Sequence, residues 1–263
     1  MIKMSQGAKQ AINFKALKKR YQILKVLYLL LLSVLLGVVI AGVLTNLINL
    51  TLGLLSGAII AGLTYTFVSF RVSRAIEKGL KKYLKCDFYK SSNLRLMNIT
   101  EGLCLQLGIE LPKLVECGCE PYVAGAYRFG KKVIFFFSEN LLNSLDRLEL
   151  EAIVAQLCVR VDLGEVEKAS FYISMKIGLS FLFLSSGKEL MLSPEATYFA
   201  DRDAVLTTRY PPALISALSK IENHNKNLKF SASKLDRLFL VPISKDAKAV
   251  VSTTERIDLL ADW

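Results

Sequence analysis

Groups able to hold a metal or move a proton near neutral pH are scarce in this chain. The 263 residues contain one histidine, His224, in a polar stretch beside Asn223, Asn225, Lys226 and Asn227. A zinc site built on two histidines therefore cannot be assembled. Cys117 and Cys119 flank a glycine on an expected strand, which brings two thiols to one side as a metal or redox pair. Two sulfurs without another soft ligand nearby in sequence make a poor zinc site, so core packing is the preferred reading. The remaining candidate chemistry lies in ELEAIVAQLCVRVDLGEV, residues 149–166. Its stripe Leu150, Ile153, Val154, Leu157 and Val161 has the spacing of an amphipathic helix. On that helix Gln156 offers a neutral amide, Leu157 cannot take a proton, and Arg160 is a permanent cation that repels a divalent metal.

Three stretches, in order, give these positions a context: NITEGL at 98–103 with Leu107 and Gly108; residues 133–142 followed by LELEAIVA at 148–155; and YFAD at 198–201 leading to TRYPPALISAL at 208–218. Through them the chain resembles the HtpX-like membrane metallopeptidases, relatives of the CAAX prenyl proteases. The resemblance implies a zincin-like domain in which the helix at 149–166 carries H-E-x-x-H. There histidines at i and i+4 face zinc, and the glutamate activates the bound water. Here Gln156, Leu157 and Arg160 stand at those positions. The resemblance also implies a glutamate ligand four residues before the aspartate of an Ala-Asp pair, and Thr197 stands there, with Glu195 close by but off the helical register. A histidine-proline motif expected before the C-terminal Glu-Arg-Ile is replaced by Ser252, Thr253 and Thr254. Zinc is the family's cofactor, but these residues supply no metal ligands and no general base, so no cofactor is expected.

Two readings of the degenerate helix stand side by side. In one, Gln156 and Arg160 are drift at a site without catalytic demand. In the other, Arg160 fills the metal position with its guanidinium and pairs with Asp201, which the resemblance implies is the carboxylate backing the first histidine. A buried carboxylate deprived of its partner is costly, so contact of Asp201 with Gln156 or Arg160 is expected. The strand Val133, Ile134, Phe135, Phe136, Phe137 also has two readings. It belongs to a sheet that in the family receives an extended peptide, and peptide binding needs no zinc. Three consecutive phenylalanines equally fit a strand buried on both faces.

The elements that position these residues begin with two apolar runs, 26–44 and 50–70, each long enough to cross a hydrocarbon core of roughly 30 Å at 1.5 Å per residue. Five residues separate them, and small residues at four-residue spacing (Gly37 and Ala41; Gly53, Gly57 and Ala61) allow close helix approach. Residues 1–25 carry a charge of +7 and residues 71–90 a charge of +5, against +11 for the whole chain. Positive charge at both outer ends of a hairpin places both termini in the cytoplasm, facing anionic lipid. The soluble part has no basic patch interleaved with aromatics, which excludes nucleic acid. Cleavage as a signal peptide is excluded by the length of the first run and the second span that follows. Five cysteines on the reducing side predict thiols rather than disulfides.

The expected architecture is α+β: a transmembrane helical hairpin followed by a mostly helical zincin-like domain with a small antiparallel sheet. The divisions are a basic N-terminus (1–25), the hairpin (26–70), a basic juxtamembrane helix (71–90) and a peptidase-like cytoplasmic domain (91–263). Helices are expected near 92–107, 139–145, 146–164, 194–208, 211–222 and 254–262, with strands between 112 and 138 and an exposed loop at 223–233. The apolar stretch 170–192, with an uncharged core of eight residues, is too short to span and is read as lying at the membrane surface or inside the domain. The leading functional expectation is an inactive, membrane-anchored homologue, in the bacterial plasma membrane by resemblance. Its partners would be the lipid bilayer, membrane or unfolded proteins, or an active peptidase relative. The alternatives are a zinc endopeptidase of membrane-protein quality control with a non-standard site, and a membrane scaffold.

Overall fold

The computed structural model describes residues 33, 34, 37, 38, 42, 50–178, 194–231, 233–244 and 251–262. Helix α1 (Leu50–Leu84) leads into strand β1 (Phe88–Lys90), helix α2 (Leu94–Leu107) and strands β2 (Lys113–Cys117), β3 (Ala124–Phe129) and β4 (Lys132–Ser138). Helices α3 (Glu139–Ser144), α4 (Arg147–Asp162), α5 (Glu165–Gly178), α6 (Pro194–Thr208) and α7 (Pro211–Asn225) follow, then a 3-10 turn (Lys234–Leu238) and helix α8 (Thr253–Ala261).

Local signals set most boundaries. The Asn93 side chain accepts from the Leu96 amide at the start of α2, and Gly108, at φ 64°, closes it in the left-handed conformation. Asp146 opens α4 with a capping box: its side chain accepts from the Glu149 amide, and the Glu149 side chain accepts from the Asp146 amide. Pro194 and Pro211 each begin a helix, where a missing N–H costs nothing.

Four strands form one sheet in the order β1-β2-β4-β3. The sheet is mixed: two of its pairings are antiparallel, as expected for most of it, and the β2–β4 pairing is parallel. The tight β3–β4 turn at Gly130 puts β3 on the outer edge of β4, and β2 takes the inner edge in parallel. The basic helix expected to reach residue 90 stops at Leu84. Lys85 adopts φ 54°, turning the chain into β1, which pairs antiparallel with β2.

The three phenylalanines of β4 serve two cores, because successive side chains on a strand point to opposite faces. Phe135 and Phe137 pack in a cluster with Leu96, Leu141, Ile153 and Leu214. Phe136 joins Ile76, Leu80 and Leu84 of α1 with Ala169 and Ile173 of α5 on the other side. The sheet is thus a middle layer, with α2, α4 and α7 on one face and the end of α1 with α5 on the other.

Helix α4 departs from the amphipathic reading. Leu150 and every residue from Ala152 to Val161 are buried, because α2, α5, α6 and α7 surround it. The polar groups at 156 and 160 therefore lie in the interior. The expected loop at 223–233 is shortened, since α7 continues to Asn225. That buried amide accepts from the Tyr122 N–H at 2.9 Å and donates to its carbonyl at 2.8 Å, while His224 stacks on the Tyr122 ring at 3.6 Å. Among the described residues no helix is long and apolar enough to cross a membrane. The run 26–44 lies almost wholly outside those residues, and residues 1–25, many side chains of the second run and all of 179–192 lie outside them.

Glu149 ties the start of α4 to α7, accepting from Lys220 Nζ at 2.7 Å and Ser216 Oγ at 2.6 Å. Burial by itself raises its pKa, but Lys220, Ser216 and the Asp146 amide outweigh burial and hold it below the usual 4.5. A carboxylate with a depressed folded pKa stabilises the fold above its ordinary pKa and loses that contribution as pH falls through the folded value. Glu149→Gln is expected to cost about 1–3 kcal/mol at neutral pH. Denaturant titrations should show the gap from wild type shrinking only below the ordinary glutamate range.

Candidate functional site

The degenerate positions converge where α4 packs against α6. Gln156, 1% exposed, donates from Nε2 to Asp201 Oδ1 at 3.1 Å. The expected contact between α4 and Asp201 therefore exists through the amide. The expected Arg160–Asp201 pair does not form. Arg160 turns the other way, donating from Nε to Glu165 Oε2 at 3.1 Å and from its terminal nitrogens to the carbonyls of Arg237 (3.0 Å) and Phe239 (3.4 Å). The cause is local: the short turn after α4 returns Glu165 to within reach of a guanidinium five residues earlier.

Asp201 is neutralised instead by Arg256 from α8. The guanidinium grips both carboxylate oxygens, Nε to Oδ2 at 2.6 Å and Nη2 to Oδ1 at 2.7 Å, and sends its remaining nitrogen to the Leu240 carbonyl at 2.7 Å. Both side chains are essentially excluded from solvent. A forked pair of this geometry is among the strongest polar contacts a protein makes. Sequence reasoning noted Glu-Arg-Ile only as a landmark and missed this role. Two buried guanidiniums thus face two buried carboxyls, Glu165 and Asp201. Burial pushes the Glu165 carboxyl up, and Arg160 opposes that rise.

These arginines also hold the segment 237–240 by its carbonyls. That segment crosses the outer edge of β3: Phe239 bridges Gly125, and the Leu240 amide donates to the Ala124 carbonyl at 2.7 Å. Further along the same edge, the Arg128 amide donates to Ser170 Oγ of α5 at 2.8 Å. The close approach depends on Gly125, where a Cβ would run into the Leu238 carbonyl and lie 2.5 Å from Phe136 Cζ. The chain therefore covers the edge of β3 with its own segment.

The strand Val133, Ile134, Phe135, Phe136, Phe137 is not an edge at all. Its two sides pair with β2 and β3, so no extended peptide can be added to it, and residues 135–137 are fully buried. Thr197 lies half-buried on α6, one turn before Asp201; the Glu195 side chain lies outside the described residues. Cys117 and Cys119 are both buried, with sulfurs 3.4 Å apart.

Tested against zinc, this constellation does not fit. Arg160 and Arg256 are cations, Leu157 has no donor atom, Asp201 is saturated by Arg256 and Gln156, and Gln156 Oε1 alone is buried without a hydrogen-bond partner. One neutral oxygen among two guanidiniums is no site for a dication. The arrangement can bind polar backbone and lock helices together.

Removing one partner of such a pair strands the other charge. Arg256→Met should cost about 3–5 kcal/mol by that logic. Adding Asp201→Leu should recover part of the loss, a non-additivity measurable in a double-mutant cycle of denaturation free energies. Gly125→Ala should lower stability by about 1–3 kcal/mol through overpacking, read as a drop in thermal midpoint.

No protein-family profile matches the chain. Individual relatives do. A protein named Protease HtpX homolog from Dictyoglomus thermophilum is 28% identical over 199 residues, covering 62% of this chain and 66% of that protein. Its namesake in Dictyoglomus turgidum is 27% identical over 195 residues, 60% of this chain and 64% of that one. Another in Tropheryma whipplei strain Twist is 25% identical over 186 residues, 57% and 64% respectively. The chain thus spans slightly less than two thirds of the length of these relatives. The crystal structure of S. mikatae Ste24p is a more distant match, with a TM-score of 0.46 and 14% identity over 74% of this chain and 56% of that one. In sequence, then, this chain resembles the HtpX-like protease homologues.

Proposed function

We propose that this chain is a membrane-anchored, catalytically inactive homologue of the HtpX-like zinc metallopeptidases. Its peptidase-like domain, 91–263, would bind or restrain membrane or unfolded proteins, or an active peptidase relative. One observation carries the loss of activity: Gln156, Leu157, Arg160 and Thr197 occupy the family's ligand and base positions, and the charges around them are already paired with one another. With neither a polarised water nor a base, attack on a peptide carbonyl has no nucleophile. The covered edge of β3 supports the same reading.

Membrane anchoring is supported by the two apolar runs and their basic flanks. The exposed side chains of Ile59, Leu63 and Phe67 add to this, each more than 60% accessible and one helical turn apart on α1. On this reading 26–44 and 50–70 are the spans, 71–84 the basic juxtamembrane helix, and both termini are cytoplasmic.

Full-length protein in detergent should leave casein uncut, with the same background rate with and without chelator. Cleavage that co-purifies with the chain and disappears on chelation would falsify the proposal. For the topology, an alkaline phosphatase fusion in the 45–49 turn should be active and one after residue 263 inactive. The reverse pattern would invert the orientation.

A further inference from the structure

Away from this network, the fold gathers three thiols that are scattered in sequence. Cys86, Cys117 and Cys119 have sulfurs within 4.8 Å of one another, Cys117 and Cys119 buried and Cys86 half-buried. They are the one group of three or more potential ligands so placed among the described residues. The third sulfur arrives through the feature that ended α1 early: Lys85, in the left-handed region, turns the chain into β1. Phe88 pairs with Cys117, so the same register, continued two residues past the ladder, sets Cys86 opposite Cys119. A backbone conformation rarely taken by lysine is thus held where it delivers a thiol to two others.

We propose that Cys86, Cys117 and Cys119 form a binding site for one thiophilic d10 cation, of the zinc or copper(I) class. Three thiolates suit a soft cation and disfavour calcium or magnesium. At a metal–sulfur distance of about 2.3 Å, tetrahedral ligation puts sulfurs about 3.8 Å apart. The 3.4 Å between Cys117 and Cys119 and the 4.8 Å limit for the trio lie within side-chain adjustment of that spacing. Entry is open, because Cys119 borders a cavity of ≈ 750 Å³ that Lys82 and Lys85 also line. The thiol protons leave to solvent on binding. Water or an exogenous ligand from the cavity completes the coordination. All five cysteines are free thiols, so no disulfide competes. The inference is independent of whether the domain cleaves peptides.

The test uses the full-length protein in detergent, reduced and kept anaerobic, with Cd2+ as the probe. Ultraviolet thiolate-to-metal charge-transfer absorption should saturate at one ion per chain, and three of the five thiols should become protected from alkylation. Cys86→Ser, at a half-buried position, should weaken Cd2+ binding at least tenfold. Cys104→Ser should bind as wild type, since Cys104 sits against Cys158 in the other core. An absence of charge-transfer absorption in the wild-type protein, or absorption that survives Cys86→Ser unweakened, overturns the proposal.

Discussion

The forked ion pair between Asp201 and Arg256 is the contact on which the interior depends. A carboxylate buried between α4 and α6 is tolerable only with a matched cation, and Arg256 supplies one while also binding the Leu240 carbonyl. One side chain thus links three separate parts of the chain: α6, the segment over β3 and the terminal helix α8. Gln156 adds α4 through the same carboxylate. Arg160 and Glu165 repeat the arrangement a turn away, with the same segment as the third party.

Charge placement of this kind separates two uses of one scaffold. A metallopeptidase centre leaves its ligands' lone pairs and a base free to act on a third body. Here the guanidiniums of Arg160 and Arg256 and the carboxyls of Glu165 and Asp201 are spent on neighbours within the chain, and the outer edge of β3 is met by Phe239 and Leu240.

Much of this could be read from the residues alone. Asp146, Gly108 and the two helix-opening prolines are short-range signals, and the helix ends they mark lie where the sequence places them. The polar replacements at 156 and 160 are visible in the sequence, and so is the contact of Gln156 with Asp201, but not the turn of Arg160 toward Glu165. What escaped was long-range. Arg256 lies in the short sequence TTERIDLLA, and its partner is 55 residues away. Glu165 was hidden because a turn, not a helical repeat, brings it back to Arg160. The parallel β2–β4 pairing and the tiny β1 depend on which strand edge is left vacant, which local propensity does not encode. Cys86 looked like part of a basic helix until its left-handed neighbour broke it.

Helix α1 runs without a proline for 35 residues, about 52 Å at the usual rise. Its C-terminal turns, through Ile76, Leu80 and Leu84, are themselves part of the core beneath Phe136. Helix continues from its apolar start into the folded domain. A tilt or rotation imposed at the far end is therefore passed along one continuous helix to the layer that supports the sheet.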